Sequence, residues 1–320
     1  EYITVLEGIR EEAGDDVRIL YSQGCDLYKD KVENLAWDQD RISEAVITAE
    51  NSDVVILCVG LNETLEGEEG DTGNSDASGD KVDLHLPKVQ EELIEKVTAV
   101  GKPTIVVLMA GSAIDLNYAQ DNCNGILLAW YPGARGGRAV ADLLFGKESP
   151  SGKLPVTFYK DLEGMPEFTD YSMKNRTYRY MEKEALYPFG YGLTYSDTCV
   201  TEAEVVGEVS AESDIVLKAT VKNNGTVDTD EVVQVYIKDL DSPLAVRNYS
   251  LCGFKRVSLK AGEEKSVEFT ISNKAMNIVD EDGNRYIAGK HFRLFAGVSQ
   301  PDTRSAELTG HKPAEIEIAL

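Results

Sequence analysis

Apolar residues in the first part of the chain, up to about residue 195, fall into short continuous runs separated by segments of helical spacing. DVVILCVG (53–60) is one such run, and PTIVVLMAG (103–111) is another. Unbroken apolar runs of this length are typical of strands that are covered on both faces. The pattern therefore predicts buried strands rather than strands with one face in solvent.

The segments between these runs have the period of helices. RISEAVITAENS (41–52) shows helical spacing, and LPKVQEELIEKVTAVG (86–101) places Leu93, Ile94 and Val97 on one face. Strands and helices that alternate with short connections indicate parallel strands joined by right-handed crossovers. We therefore predict an α/β fold with a parallel sheet.

From about residue 200 the helical period disappears. EVVGEVSAESDIVLKATVKNNGTVDTDEVVQVYIKDL alternates apolar and polar residues around an NNGT turn, which is typical of a β-sandwich. We predict a parallel-sheet α/β sandwich domain over residues 1–195 and an all-β sandwich over residues 199–320. The Pro-, Gly- and Tyr-rich segment 147–198 is predicted to wrap around the first domain before it leads into the second.

Composition excludes several classes of protein. The 320 residues carry a formal net charge of −24, which disfavours nucleic acid as a partner. The chain has no apolar run of 18 residues, so we expect no membrane span, and we expect a cytoplasmic protein. The five cysteines are widely spaced and odd in number, which argues against a disulfide framework or a zinc site.

The acidic segment LNETLEGEEGDTGNSDASGDK (61–81) directly follows the run 53–60. Ligands of open parallel sheets bind beyond the carboxyl ends of the strands, and long structureless loops usually have a function. Glu66 and Glu68 are candidates for a general acid, because neighbouring negative charge raises the pKa of a carboxyl group. The alternative is an acidic loop that is merely solvated.

Other chemistries find little support in the sequence. The chain has no phosphate loop, no GxGxxG dinucleotide motif and no GxSxG elbow, and calcium-loop spacing is absent. Its three histidines are His85, His291 and His311, and His85 is expected to be an ordinary residue between loop and helix. We therefore expect neither a cofactor nor a metal.

Three segments closely resemble the carboxyl half of family-3 glycoside hydrolases, the β-glucosidase and β-xylosidase family. They are VGLNETLEGEEGDTGNSDASGDKVDLHLPKVQEEL, GILLAWYPGARGGRAVADLLFGKESPSGKLPVTFYKDL and RTYRYMEKEALYPFGYGLTYS. The remainder, with NNGTVDTDEVVQVYIKD and GFKRVSLKAGE, resembles the fibronectin type III-like domain that follows in many members. The resemblance implies an α/β sandwich domain and then an immunoglobulin-like sandwich.

This resemblance implies a retaining exo-acting β-glycosidase, in which one carboxyl group attacks the sugar and a second is the general acid/base. The acid/base of the family lies in the acidic loop, in a Glu-x-Glu pair that corresponds here to Glu66 and Glu68. Counting back from Gly70 and Asp71 favours Glu68, whereas counting forward from Gly60 favours Glu66. We predict Glu68 as the acid/base.

The nucleophilic Asp of the family lies in an amino-terminal barrel, in a Ser-Asp-Trp type of motif. Neither Trp37 nor Trp130 follows Ser-Asp, and an eight-fold barrel needs about 250 residues, for which the chain has no room. We therefore expect a partner domain or chain that supplies the nucleophile. A non-catalytic carbohydrate-binding or scaffold module is the alternative.

The WYPG loop supplies candidates for binding the substrate, a β-linked oligosaccharide or glycoside. Trp130 and Tyr131 are expected either to contact sugar or to pack beneath the loop. The sequence leaves the choice between a glucoside and a xyloside open.

Overall fold

The structure is a computed structural model, and it describes residues 2–29, 37, 39–67 and 81–320. Contacts divide the chain into two compact units, which are Glu1–Lys147 with Lys160–Leu162, and Glu148–Tyr159 with Glu163–Leu320. The first unit is α/β with a parallel sheet and the second is antiparallel and nearly all-β. The predicted fold class is confirmed.

The helices and strands of the first unit alternate from the second helix onward. In chain order the elements are α1 (Val5–Ala13), α2 (Asp40–Glu50), β1 (Val55–Gly60), α3 (Lys88–Thr98), β2 (Thr104–Met109), α4 (Asn117–Asn122), β3 (Gly125–Leu128) and α5 (Gly136–Leu144). The strands form one parallel sheet in the order β1-β2-β3, in which Gly60 lies opposite Met109. Burial is complete at Val106, Val107 and Leu108, because the central strand is covered on both faces.

Helix α3 packs with the face that the spacing predicted. Leu93, Ile94 and Val97 are all buried, and the helix begins after Pro87. The short run VRILYSQG (17–24) also contains several apolar residues, but it forms neither helix nor strand.

The end of β1 is fixed by a glycine and a glutamine. Gly60 has φ 151°, and a Cβ there would overlap with the carbonyl oxygen of Met109. The buried side chain of Gln90 accepts a hydrogen bond from the Gly60 N–H and donates one to the Gly60 carbonyl, both at 2.7 Å. On the other side, the N–H of Leu61 donates to the Met109 carbonyl at 2.8 Å. The direction in which the acidic segment leaves the sheet is therefore set by buried backbone contacts.

The second unit is built from antiparallel strands. Its strands are β4 (Phe158–Tyr159), β5 (Ala185–Tyr187), β6 (Thr198–Val206), β7 (Ile215–Asn223), β8 (Thr229–Asp239), β9 (Ser250–Leu259), β10 (Glu264–Ile271), β11 (Asn277–Val279), β12 (Arg285–Ile287), β13 (His291–Gly297) and β14 (Ala314–Ala319). Its helices are the short α6 (Thr177–Tyr180), the 3-10 turn Asn273–Met276 and α7 (Thr303–Thr309).

Two larger sheets, β10-β7-β6 and β14-β13-β8-β9, supply the core of this unit. Leu217 and Phe269 from one sheet and Val233 and Leu294 from the other belong to one buried cluster. The alternating pattern therefore correctly predicts a sandwich.

Most of the segment 147–198 groups with the β-sandwich unit rather than with the α/β unit. The ring of Tyr178 stacks on Phe189 with centroids 4.2 Å apart, and both rings meet the edge of buried Tyr236. These aromatic contacts lie within the second unit, most of which begins at Glu148.

A buried ion pair lies within the second unit. The Lys153 ammonium is 2.8 Å from the Glu231 carboxylate, and the two side chains are 8% and 2% exposed. The carboxylate also accepts from the Thr198 hydroxyl at 2.5 Å and from the Val232 N–H at 2.6 Å. Lys153 donates in addition to the carbonyl of Gly192 at 2.6 Å. Both buried charges therefore have close partners.

Candidate functional site

The carboxyl ends of the three parallel strands lie at one edge of the sheet, where ligands of α/β proteins bind. The segments that leave this edge begin at Leu61, Ala110 and Ala129. All three come from the first unit.

A turn at Asn62 directs the start of the acidic segment. The backbone carbonyl of Asn62 accepts from the N–H groups of Leu65 and Glu66, at 3.0 and 2.9 Å. Its side-chain oxygen accepts from the N–H and the hydroxyl of Thr64, at 3.0 and 2.8 Å. Such a side-chain turn is a normal use of Asn, and here it aims Glu66 back over the end of β2.

The carboxylate of Glu66 accepts hydrogen bonds from three described residues. The N–H of Gly111 donates to Oε2 at 2.7 Å, and the hydroxyl of Tyr131 donates to the same oxygen. The hydroxyl of Ser112 donates to Oε1. Backbone and side chains from the ends of all three strands thus meet at one carboxylate.

Lys81 reaches the same place from the far side of the acidic segment. Its ammonium donates to the Ser112 hydroxyl at 3.0 Å and to the Ala113 carbonyl at 3.1 Å. Ser112 therefore bridges the two charges, since its oxygen accepts from Lys81 while its proton points to Glu66.

These contacts decide the charge of Glu66. Burial raises the pKa of this carboxyl, but the hydrogen bonds from Ser112, Tyr131 and Gly111 and the charge of Lys81 lower it, and the result is a lowered pKa. Burial and the bond to Glu66 raise the pKa of the Tyr131 phenol. Burial lowers the pKa of Lys81, against the opposing charges of Glu66 and Asp83. At neutral pH Glu66 is therefore a carboxylate that accepts hydrogen bonds from neutral donors.

The position of Tyr131 depends on unusual backbone geometry next to it. Trp130 has φ 51°, in the left-handed region that a bulky residue rarely adopts. A Cβ at Gly111 would lie 2.9 Å from the ring of Tyr131, so the absence of a side chain there leaves room for the ring. Backbone strain of this kind costs about 1–3 kcal/mol and persists only where the surroundings enforce it.

The segment that returns from the acidic loop is fastened to α3 by His85. The ring Nδ1 of His85 lies 2.9 Å from a carboxylate oxygen of Glu91 and 3.9 Å from one of Asp115. The backbone N–H of His85 donates to the carboxylate of Asp83 at 2.9 Å. The hydrogen bond to Glu91 raises the pKa of His85. These contacts serve to hold the returning segment.

The structure brings together only part of the predicted site. Glu66 and Tyr131 are in direct contact, and Trp130, which precedes Tyr131 in the chain, has a partly buried side chain. Glu68 lies outside the described residues. Sequence reasoning missed Ser112 and Lys81. The pattern of hydrophobic and polar residues gives no indication that Lys81 lies at the site.

Within the described part of the chain, no group of three or more His, Cys, Asp or Glu side chains could hold a metal ion. The same residues form no helix that is long and apolar enough to cross a membrane.

An α/β unit with an anchored carboxylate at the carboxyl edge of a parallel sheet, followed by a β-sandwich, defines the class of the protein. Two family models match the chain, the glycosyl hydrolase family 3 C-terminal domain over residues 1–195 and the fibronectin type III-like domain over residues 231–300. The chain belongs to glycosyl hydrolase family 3.

Curated relatives have names that agree with this family. A β-xylosidase of Formosa agariphila is 34% identical over 96% of this chain and 42% of its own length. A xylan 1,4-β-xylosidase of Xylanibacter ruminicola is 40% identical over 83% of this chain and 31% of its own length. The structure of a β-glucosidase from Erythrobacter marinus matches all of this chain and 43% of that protein, with 30% identity and a TM-score of 0.83. The chain thus spans less than half the length of these relatives.

Proposed function

We propose that this chain is the part of a retaining exo-acting β-glycosidase that supplies the general acid/base. Membership of the family supports this proposal, as do the β-xylosidases and β-glucosidase to which the chain is similar. The substrate class is a terminal β-D-glucosyl or β-D-xylosyl residue. The nucleophilic Asp then comes from a barrel, in the same longer polypeptide or in another chain.

A retaining enzyme needs two carboxyl groups about 5–5.5 Å apart, one that attacks the anomeric carbon and one that protonates the leaving oxygen. The second group has to carry a proton when the substrate arrives. After the leaving group departs as an alcohol, the same group, now a carboxylate, takes a proton from water, which then releases the sugar from the nucleophile.

The state of Glu66 is the observation that carries the assignment within the loop. Gly111, Ser112 and Tyr131 all donate to Glu66, so this carboxyl is held in the ionised form. We therefore assign the proton donor to Glu68.

The test replaces Glu68 in the enzyme that contains the barrel. Glu68→Gln should slow substrates with poor leaving groups by about 100- to 10,000-fold, the usual share of general acid–base catalysis. Aryl glycosides with good leaving groups should lose less in the first step, because they need little protonation. Azide should then rescue the second step and release a β-glycosyl azide.

Glu69→Gln is the matched control, since it removes the same charge from the adjacent position and should show no azide rescue. Rescue in Glu66→Gln and not in Glu68→Gln would move the acid/base to Glu66. If neither variant is rescued, the acidic loop does not supply the acid/base.

The purified 320-residue chain alone should hydrolyse aryl β-glucosides and β-xylosides at a negligible rate, and addition of a matching barrel chain should restore turnover. A scaffold or binding module would gain no turnover from the barrel chain. Robust turnover by the isolated chain would show that it carries its own nucleophile.

A further inference from the structure

Glu66 is held more firmly than is needed for a residue that only contributes negative charge near Glu68. Three donors from the described residues occupy its two oxygens, and a carboxylate offers about four acceptor positions. The carboxylate is only partly buried, and the Tyr131 side chain beside it is 51% exposed. A carboxylate fixed in direction and still reachable from solvent is suited to accept a further hydrogen bond.

We propose that Glu66 is a fixed acceptor for a hydroxyl group on the leaving-group side of the substrate, and that Tyr131 is the residue that holds it in place. This inference rests on the proposed function. It places Glu66 in substrate recognition, whereas the proton donor is elsewhere in the loop.

The leaving-group side follows from the chain order. Glu66 lies two residues before Glu68, the group that we assign to the leaving oxygen. The first atoms beyond that oxygen belong to the next sugar or to another alcohol. A hydroxyl group of a second sugar is therefore the nearest hydrogen-bond donor that Glu66 would meet.

The surroundings of Glu66 favour recognition of a neutral sugar over that of an anion. The ammonium of Lys81 faces Glu66 through Ser112, while the carboxylates of Glu63 and Asp83 act on Tyr131 and Lys81. The named groups carry three negative charges and one positive charge, so the cluster disfavours an anionic ligand. The exposed part of the Tyr131 ring offers an apolar surface to the C–H groups of a sugar, while its hydroxyl remains bonded to Glu66.

Preorganisation is the physical advantage of this arrangement. An acceptor that is already immobile loses little conformational entropy when the ligand binds. The left-handed backbone of Trp130 directly precedes Tyr131, and the missing side chain at Gly111 leaves room for its ring.

The holding role of Tyr131 is tested in the 320-residue chain itself. The amide proton of Gly111 donates to Glu66, so its NMR shift should follow the titration of that carboxyl. Tyr131→Phe keeps the ring and removes one donor, and the titration should move to higher pH. Tyr118→Phe is the control, because that hydroxyl contacts Thr98 and should leave the Gly111 titration unchanged. An unchanged titration in Tyr131→Phe would overturn the holding role.

The binding role is tested by comparing two substrates in the enzyme that contains the barrel. Xylobiose or cellobiose carries a second sugar, whereas the methyl β-glycosides have an equally poor leaving group without its hydroxyls. Glu66→Gln should raise KM for the disaccharide by about 10- to 100-fold, the value of a hydrogen bond to a charged group, whereas any change in kcat should be the same for both substrates. The methyl glycoside should show a much smaller change in KM.

The same measurement separates the inference from the function on which it rests. Equal losses for both substrates, without azide rescue, would mean that Glu66 only stabilises the loop and would overturn the inference. A loss in kcat with azide rescue would make Glu66 the acid/base, which overturns the inference and leaves the glycosidase proposal intact. Loss of the heat-unfolding transition in Glu66→Gln would show that Glu66 is required for folding, and this would also overturn the inference.

Discussion

Glu66 in the α/β unit and Glu231 in the β-sandwich unit have nearly the same set of partners but differ in access. Each carboxylate accepts a backbone N–H and a hydroxyl, and each has a lysine nearby. Lys153 contacts Glu231 directly at 2.8 Å and both are buried, whereas Lys81 is separated from Glu66 by the Ser112 hydroxyl. The direct pair closes its carboxylate off from solvent, and the bridged pair leaves its carboxylate accessible. Similar donors can therefore build either a structural pair or a site.

The largest effect should follow from breaking the closed pair. Lys153→Met leaves the Glu231 charge buried without its cation, which should destabilise the β-sandwich unit by about 3–5 kcal/mol. Both tryptophans, Trp37 and Trp130, lie in the first unit, so tryptophan fluorescence reports on that unit alone. In a urea titration, the transition followed by far-ultraviolet circular dichroism should shift to lower urea, while the transition followed by fluorescence should keep its midpoint.

Lys260→Met is the matched control for this variant. Lys260 pairs with Asp228 at 2.7 Å in the same unit, but both side chains are well exposed, and we expect little or no change. Equal effects of the two substitutions would show that burial does not distinguish the pair at Glu231.

Removal of one hydroxyl group that donates to each carboxylate should have smaller effects on stability, and these effects should be unequal. Thr198→Val takes a buried donor from Glu231 and should cost about 1.5–3 kcal/mol, the value for a hydrogen bond to a charged group. Ser112→Ala takes a donor from the more accessible Glu66, where water can replace it, and should cost less than about 1 kcal/mol. Urea titrations of both variants, followed by the two signals above, measure the difference.

The pH dependence of Ser112→Ala sharpens this comparison. The pKa of Glu66 is lowered in the folded state, so its contribution to stability is present above the ordinary pKa of Glu and is lost as the pH falls through the lowered value. Ser112→Ala should therefore be less stable than the parent chain at pH 7, and this difference in stability should shrink as the pH falls through the lowered pKa of Glu66. A constant difference at every pH would contradict the role of the hydroxyl in stabilising the carboxylate.

The smallest effect concerns an exposed carboxylate, that of Glu91, which pairs with His85. The hydrogen bond to Glu91 raises the pKa of His85, with smaller effects from Asp115 and Asp83. The pair therefore contributes stability below the ordinary His pKa of about 6.5, and this contribution is lost as the pH rises through the raised value. In the parent chain, the urea midpoint detected by fluorescence should therefore fall as the pH rises through this range. His85→Gln should remove this pH dependence, and Glu91→Gln should do the same. A slope that persists in both variants would exclude the pair as its source.

The fold could be predicted because both periods in the sequence are set by burial. Runs such as 103–111 become a central strand covered on both faces, and the alternation in β7 and β8 becomes the inner face of a sandwich. The run at residues 17–24 also contains several apolar residues but forms no strand. A single apolar run does not contain the information about its neighbours that makes it a strand.

The candidate site could be predicted only in outline. The acidic segment could be placed at the end of β1 by the order of the elements, but the hydrogen bond from Tyr131 to Glu66 depends on the left-handed backbone of Trp130. Lys81 reaches Ser112 from 31 positions away in the chain. Such contacts follow from how loops fold back over the sheet, and no local pattern of hydrophobic and polar residues records them.

The Gln90 amide that bonds both backbone groups of Gly60 has a consequence for assembly. In the sheet of the described residues β1 is an edge strand, and the Gly60 N–H and carbonyl point away from its neighbour. An unpaired edge invites a strand from another molecule to add on, which leads to domain swapping or aggregation. At this end of β1 the Gln90 side chain already occupies the positions that an added strand would use, and it is buried. The edge beside the candidate site is thereby protected against strand addition.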